Sequence, residues 1–166
     1  MESDAIKLIL LAVAALASAA GCGEAEAIVQ PIRFSHALHV GTHDMACAEC
    51  HRTVESARFA GRPGVEVCGS CHDVMLGDSA EEARVVAHVE ENREIPWNPL
   101  DRSDPSVFFS HARHVKIAAI ECETCHGAMA EAQSPPPAAL VRLSMEDCIG
   151  CHRARNVRDD CNACHR

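Results

Sequence analysis

Large aromatic side chains are nearly missing from this sequence. Its 166 residues include no Tyr, one Trp and four Phe, 3% in all. Soluble domains draw much of their buried apolar bulk from such rings, so another group must fill the interior here. A basic surplus is missing too. Fifteen Lys and Arg stand against 24 Asp and Glu, a formal net charge of −9. That excludes nucleic acid as a partner, because phosphate contacts need clustered cations. It suits solubility and docking onto a basic patch of another protein. Long apolar runs are also missing. The longest, Leu8 to Ala20, has thirteen residues, short of the roughly 20 that a spanning helix needs. No stretch alternates convincingly enough to predict a strand.

That apolar run reads as an export signal over residues 1–21. Lys7 precedes it, and Ala19-Ala20-Gly21-Cys22 ends it in small residues. The ending resembles a bacterial lipobox, which predicts cleavage before Cys22 and a lipid on its thiol. The chain is then expected to be periplasmic and held to the membrane by that lipid. Ordinary cleavage near Ala19 and a retained anchor are the competing readings.

What the sequence has in quantity is cysteine and histidine, eleven of each. Ten cysteines form five identical patterns. They are Cys47-Ala48-Glu49-Cys50-His51, Cys68-Gly69-Ser70-Cys71-His72, Cys122-Glu123-Thr124-Cys125-His126, Cys148-Ile149-Gly150-Cys151-His152 and Cys161-Asn162-Ala163-Cys164-His165. Two thiols three positions apart can each add to a vinyl group on one porphyrin edge. The adjacent imidazole then ligates the iron from below. Zinc has no need of a histidine at this fixed offset, and five pairs do not divide into two-pair sites. The pattern therefore predicts five covalent haem c groups, with His51, His72, His126, His152 and His165 as proximal ligands. Cys22 is the one cysteine left over, which favours its lipidation.

Six histidines remain: His36, His39, His43, His88, His111 and His114. Four lie in a repeat, Phe34-Ser35-His36-Ala37-Leu38-His39-Val40 and Phe109-Ser110-His111-Ala112-Arg113-His114-Val115. Each first histidine precedes the next motif cysteine by eleven positions. Content and spacing preserved together predict the same local structure twice. Two imidazoles leaving one turn can serve haems on either side of it, so the turn acts as a clip. His88 is the expected fifth distal ligand. His43, Met45 and Met145 are alternatives, and a Met ligand would raise its haem's potential.

Around these motifs, residues 22–33 form a tether and 34–77 a two-haem module. Residues 78–105 form a helix and linker, and 106–166 a three-haem module. Ser79 with Glu82 predicts a capping box opening a helix over 78–92. Ile95-Pro96-Trp97-Asn98-Pro99 breaks it. Ser134 to Pro137 predicts a loop, and Ser144 to Asp147 the cap of a helix that delivers Cys148. The expected fold is mainly irregular, with short α-helices wrapped around five haems and little or no sheet. Trp97 is expected on a haem edge or packed in the linker.

With these residues set out, the chain resembles the class III multihaem cytochromes c, which place a Phe-x-His-x-x-His clip ahead of Cys-x-x-Cys-His. By that likeness His36 pairs with His51 and His111 with His126, while His39 and His114 reach other haems. It resembles still more the pentahaem subunit of alternative complex III and related quinone oxidoreductase complexes. The order of clip, two haems, Ile95-Pro96-Trp97, second clip and remaining haems carries that likeness over residues 31–166. Relatives often carry a histidine between that Trp and the second clip, where this chain has Asn98 to Phe108 without one. The resemblance implies electron transfer in a quinol-oxidising respiratory complex, beside an iron–sulfur or molybdopterin-type subunit and a membrane subunit. A free or lipid-anchored periplasmic carrier is the alternative. A small reductase with one open haem needs an iron with no distal ligand, and six spare histidines speak against it.

Overall fold

In a computed structural model, residues 27–100 and 104–165 are described. The signal segment, Cys22 and the first part of the tether lie outside them. No helix among the described residues is long and apolar enough to cross a membrane.

The described residues form six short α-helices: α1 (Cys47–Cys50), α2 (Val65–Gly69), α3 (Ala80–Glu90), α4 (Glu123–His126), α5 (Met145–Ala154) and α6 (Cys161–Cys164). Two π-helical turns, Ala37–Thr42 and Ala112–Ile117, and a 3-10 turn, Met129–Glu131, join them. The rest is irregular. An isolated antiparallel bridge between Val107 and His165 is the β pairing present among the described residues, so the architecture is short helices without a sheet.

Few side chains are buried among the described residues. The apolar ones are Ile32, Val54, Val65, Val86 and Ile95, and His88 joins them. Leu38, Phe59, Leu76, Ile117, Leu140 and Leu143 instead turn outward. A polypeptide core of ordinary kind inverts that balance, as the shortage of aromatic residues foretold.

The longest helix among the described residues, α3, starts where expected but is capped differently. The Ser79 hydroxyl accepts from the Glu81 amide at 3.3 Å. Glu82 does not complete a capping box. Its carboxylate turns away from the helix start and accepts from the amides of Leu76 (2.8 Å) and Gly77 (3.0 Å) and meets the His72 ring. Glu81 and Glu82 in the first turn and His88 in the last still suit the helix dipole. The helix ends at Glu90 with Glu91 as its C-cap. The next residue, Asn92, takes a φ of 47°, the left-handed conformation that Asn tolerates after a helix.

At α5 the expected cap forms in full. The Ser144 hydroxyl accepts from the Asp147 amide at 3.2 Å, and the Asp147 carboxylate accepts from the Ser144 amide at 2.8 Å. The Ser144 amide, and after it the Ser144 hydroxyl, which donates to the same carboxylate at 2.7 Å, hold Asp147 below the usual carboxylate range. A depressed carboxylate favours the folded form above its unfolded titration range, and that contribution fades as pH falls through the folded value. Substituting Ser144→Ala removes the cap and is expected to destabilise α5 by about 1 kcal/mol. A thermal melt of the loaded protein followed by far-UV circular dichroism measures it.

Candidate functional site

Each cysteine pair is set by a single helical turn. The backbone N–H of His51 donates to the carbonyl of Cys47 at 2.9 Å, His72 to Cys68 at 2.8 Å, His126 to Cys122 at 3.0 Å and His165 to Cys161 at 2.9 Å. The fourth motif lies inside α5. A closed turn brings residues three and four apart to one side, so both thiols and the imidazole of each motif share a face.

The motifs also neighbour one another. Cys122 lies beside the Cys47 thiol. Cys50 is near Cys68, Cys151 near Cys125, and Cys164 near Cys148. These contacts run from the second motif to the first, third, fourth and fifth. Burial pushes the Cys50, Cys68, Cys122, Cys125 and Cys148 thiols up. A dithiol oxidoreductase needs the opposite shift for its attacking thiolate. Nor do three or more His, Cys, Asp or Glu side chains converge on one point among the described residues, as zinc coordination requires.

The two clips have the same geometry. Phe34 meets His36 edge-on at 4.9 Å and stacks on His39 at 4.4 Å; Phe109 meets His111 at 4.9 Å and stacks on His114 at 4.5 Å. His39 Nδ1 faces the Ser35 carbonyl at 2.9 Å, and His114 Nδ1 the Ser110 carbonyl at 2.8 Å. Each clip runs into a π-turn and then a non-glycine residue of positive φ, Asp44 at 53° and Ala119 at 48°. π-turns widen the helix, which separates the directions in which the two histidines leave it.

Those directions lead to motif histidines. The His39 ring lies 6.2 Å from His72, His111 lies 6.2 Å from His126, and His114 lies 6.0 Å from His152. His36 sits close enough to His51 that, after burial, it is the chief charge lowering the pKa of His36. A metal binds imidazole nitrogen at about 2 Å, and the ring centre lies about 1 Å further on, so two trans imidazoles stand about 6 Å apart. The separations of 6.0–6.2 Å match that sum. His111 and His126 are parallel within 4°, while His39 and His72 are tilted by 58°.

The outer nitrogens are tied down as well. Nδ1 of His51 faces the Gly61 carbonyl (2.7 Å), His111 the Arg58 carbonyl (3.1 Å) and His152 the Arg158 carbonyl (2.6 Å). A carbonyl only accepts, so each Nδ1 carries the proton and leaves Nε2 as the metal-facing lone pair. Gly61 supplies its carbonyl from φ +77°, and an added Cβ would lie 2.8 Å from Thr53 Oγ1.

The remaining candidates stand apart. His88 is buried in α3, with Nδ1 against the Arg93 carbonyl at 2.8 Å and Nε2 against the Arg93 guanidinium at 3.3 Å. His43 is exposed, its ring 6.4 Å from His39. Met145 is exposed at the start of α5, and Met45 is half-buried. His165 is exposed and bridged through its backbone to Val107.

One residue of the site was not singled out by motif. The Arg58 guanidinium sits between the Phe59 ring (5.1 Å) and the Phe108 ring (5.0 Å) and donates to the Val107 carbonyl at 2.7 Å. The Arg58 carbonyl accepts from the His111 amide at 2.9 Å, so the stretch after the first motif seats the second clip. Only the basic residue beside Phe59 signalled this.

Among the described residues, three buried side-chain polar atoms lack a hydrogen-bond partner: His36 Nδ1, Arg58 Nε and Trp97 Nε1. Buried donors without acceptors are costly. Carboxylate-bearing haem offers acceptors for the latter two, and its flat apolar faces suit the outward-turned aliphatic side chains. Together with the trans imidazole spacing, these features fit haem c.

Comparison with known proteins agrees. The family model described as cytochrome c7 and related cytochrome c matches residues 32–90 and 107–166, the two stretches that each contain a clip. The multihaem cytochrome c subunit of menaquinone reductase from Nitratidesulfovibrio vulgaris is 35% identical over 156 residues, covering 81% of this chain and 74% of that protein. The high-molecular-weight cytochrome c of the same organism is 27% identical over 173 residues, covering 82% of this chain but 29% of that protein.

Proposed function

Because the chain belongs to the family of cytochrome c7 and related cytochromes c, we propose that it is a pentahaem electron-transfer subunit of a quinone-reactive membrane complex, working on the periplasmic side. It is a multihaem c-type cytochrome, and the likeness to a menaquinone reductase subunit supports a place beside a quinone-reacting partner. That likeness favours electrons leaving toward quinone rather than arriving from quinol. An iron–sulfur or molybdopterin-type subunit is the partner class proposed for the other end. The lipid on Cys22 remains part of the proposal as the membrane attachment.

The observation that carries the reading is the set of imidazole pairs. Cys47, Cys50, Cys68, Cys71, Cys122, Cys125, Cys148, Cys151, Cys161 and Cys164 would hold the five groups. His51 with His36, His72 with His39, His126 with His111 and His152 with His114 would close four irons from both sides. Bound haem supplies one-electron exchange between ferric and ferrous iron. Paired imidazoles leave no position for substrate, so these residues support electron exchange and not bond-making chemistry. For the fifth iron, at His165, we keep His88 as the distal donor. Its ring is buried with Nδ1 committed to a carbonyl. Arg93, which also pairs with exposed Glu91 at 2.7 Å, must swing off Nε2.

Production with a cytochrome c maturation system, followed by intact mass and a pyridine haemochrome assay, is expected to give five haems per chain. EPR of the oxidised protein is expected to show only low-spin iron. Zero haem with bound zinc defeats the reading, and a high-spin fraction in the native protein favours a reductase with one open site.

A further inference from the structure

Seven of the histidines described above carry a contact at Nδ1 that fixes the ring. For His39, His51, His88, His111, His114 and His152 the acceptor is a backbone carbonyl. His72 is the exception. Its Nδ1 meets the Oε1 of Glu82 at 3.0 Å. Glu82 is well placed to hold that contact, since its side chain is only 11% exposed. The Leu76 amide donates to Oε1 at 2.8 Å and the Gly77 amide to Oε2 at 3.0 Å. The carboxylate is thus clamped by the loop after the second motif and carried on the first turn of α3. It gives up the expected capping role to do so.

The chemistry of the two kinds of acceptor differs. A neutral carbonyl orients a ligating imidazole. A carboxylate also draws the Nδ1 proton toward itself and makes the ring a stronger, more anionic donor. A more basic ligand stabilises ferric over ferrous iron, which lowers the reduction potential. We propose that Glu82 is a positioning residue that acts through His72 to lower the potential of the haem at Cys68 and Cys71, setting it apart from the carbonyl-tied sites. The inference rests on the haem assignment above. That haem lies at one end of the run of neighbouring motifs, so Glu82 tunes a terminus of the chain of sites.

The test uses the full, haem-loaded chain and three substitutions: Glu82→Gln, Glu82→Asp and Glu90→Gln. Glu90 is exposed on the same helix and controls for loss of a negative charge. A chain with Cys68→Ala and Cys71→Ala identifies which wave of the potentiometric titration belongs to this site. Glu82→Gln is expected to raise that one midpoint by about 59 mV, the one-electron equivalent of a tenfold change in ferric preference. Glu82→Asp should fall between Gln and the native value, and Glu90→Gln should leave the wave in place. An unmoved wave in a fully loaded Glu82→Gln protein overturns the proposal. So does an equal shift of all waves, or a shift matched by Glu90→Gln. Loss of this haem in both Glu82 variants marks the residue as needed for maturation alone and also overturns it. A native protein without haem at Cys68 and Cys71 instead overturns the underlying assignment, which the mass measurement shows separately.

Discussion

Produced without haem, the chain is expected to show no cooperative thermal transition and a far-UV spectrum dominated by irregular backbone. The reason lies in what the polypeptide buries. Ile32, Val54, Val65, Val86 and Ile95 are the buried apolar side chains among the described residues. Each contributes about 1.5–3 kcal/mol, while each ordered residue costs roughly 1–2 kcal/mol of backbone entropy. Five such side chains cannot hold a chain of this length. The helices add little alone: α1, α4 and α6 have four residues each, far below the roughly 12–15 at which an isolated helix becomes even marginal in water. On the proposed ligation, thioether attachment and two-sided iron coordination supply the missing order, as metal does in domains that are unfolded without it. Removing the second cysteine of every motif in a maturation-competent host should reproduce the collapse. A cooperative melt in haem-free protein would falsify the idea that the cofactors are the core.

Much of this was legible because the informative residues are covalently and sterically constrained. Cys-x-x-Cys-His forces one turn of helix, and that turn forms four times over with the histidine amide on the first cysteine's carbonyl. The clip repeat predicted a repeated structure, and the Phe and His rings repeat within 0.1 Å in centroid distance. The Ser144 cap was readable because Ser and Asp at that spacing have one good arrangement. Other features were not. Ser79 and Glu82 have the same spacing, but Glu82 has better donors in Leu76, Gly77 and His72, which the local sequence does not announce. Arg58 is recognised only through contacts 49 and 53 residues away, to Val107 and His111. Which motif histidine each second clip residue faces depends on how the loops fold back, and loop paths leave no periodic trace.

Those pairings make the second large prediction. Each clip histidine replaced by Ala is expected to open one iron, converting about one fifth of the low-spin ferric signal to high-spin. The affected site should differ by residue. His36→Ala should open the iron held by His51, and His39→Ala the one held by His72. His111→Ala should open that of His126, and His114→Ala that of His152. The double substitution of His36 and His39 should therefore open two different irons, not one iron twice, with a high-spin fraction near the sum of the singles. The clip geometry demands this. Both rings of a clip pack on one Phe, yet they meet it at 85° and 23° in the first clip and at 89° and 26° in the second. The rings of each clip also face different motif histidines, His51 and His72 in the first and His126 and His152 in the second. His43→Ala is the control and should change nothing, since that ring is exposed and belongs to no clip. Resolving the variants by EPR, with exogenous cyanide or imidazole to fill the opened position, reads each site in turn. Overlapping effects of His36 and His39 on the same iron would sink the clip as a bridge between neighbouring haems, and with it the physical basis for a continuous path through the protein.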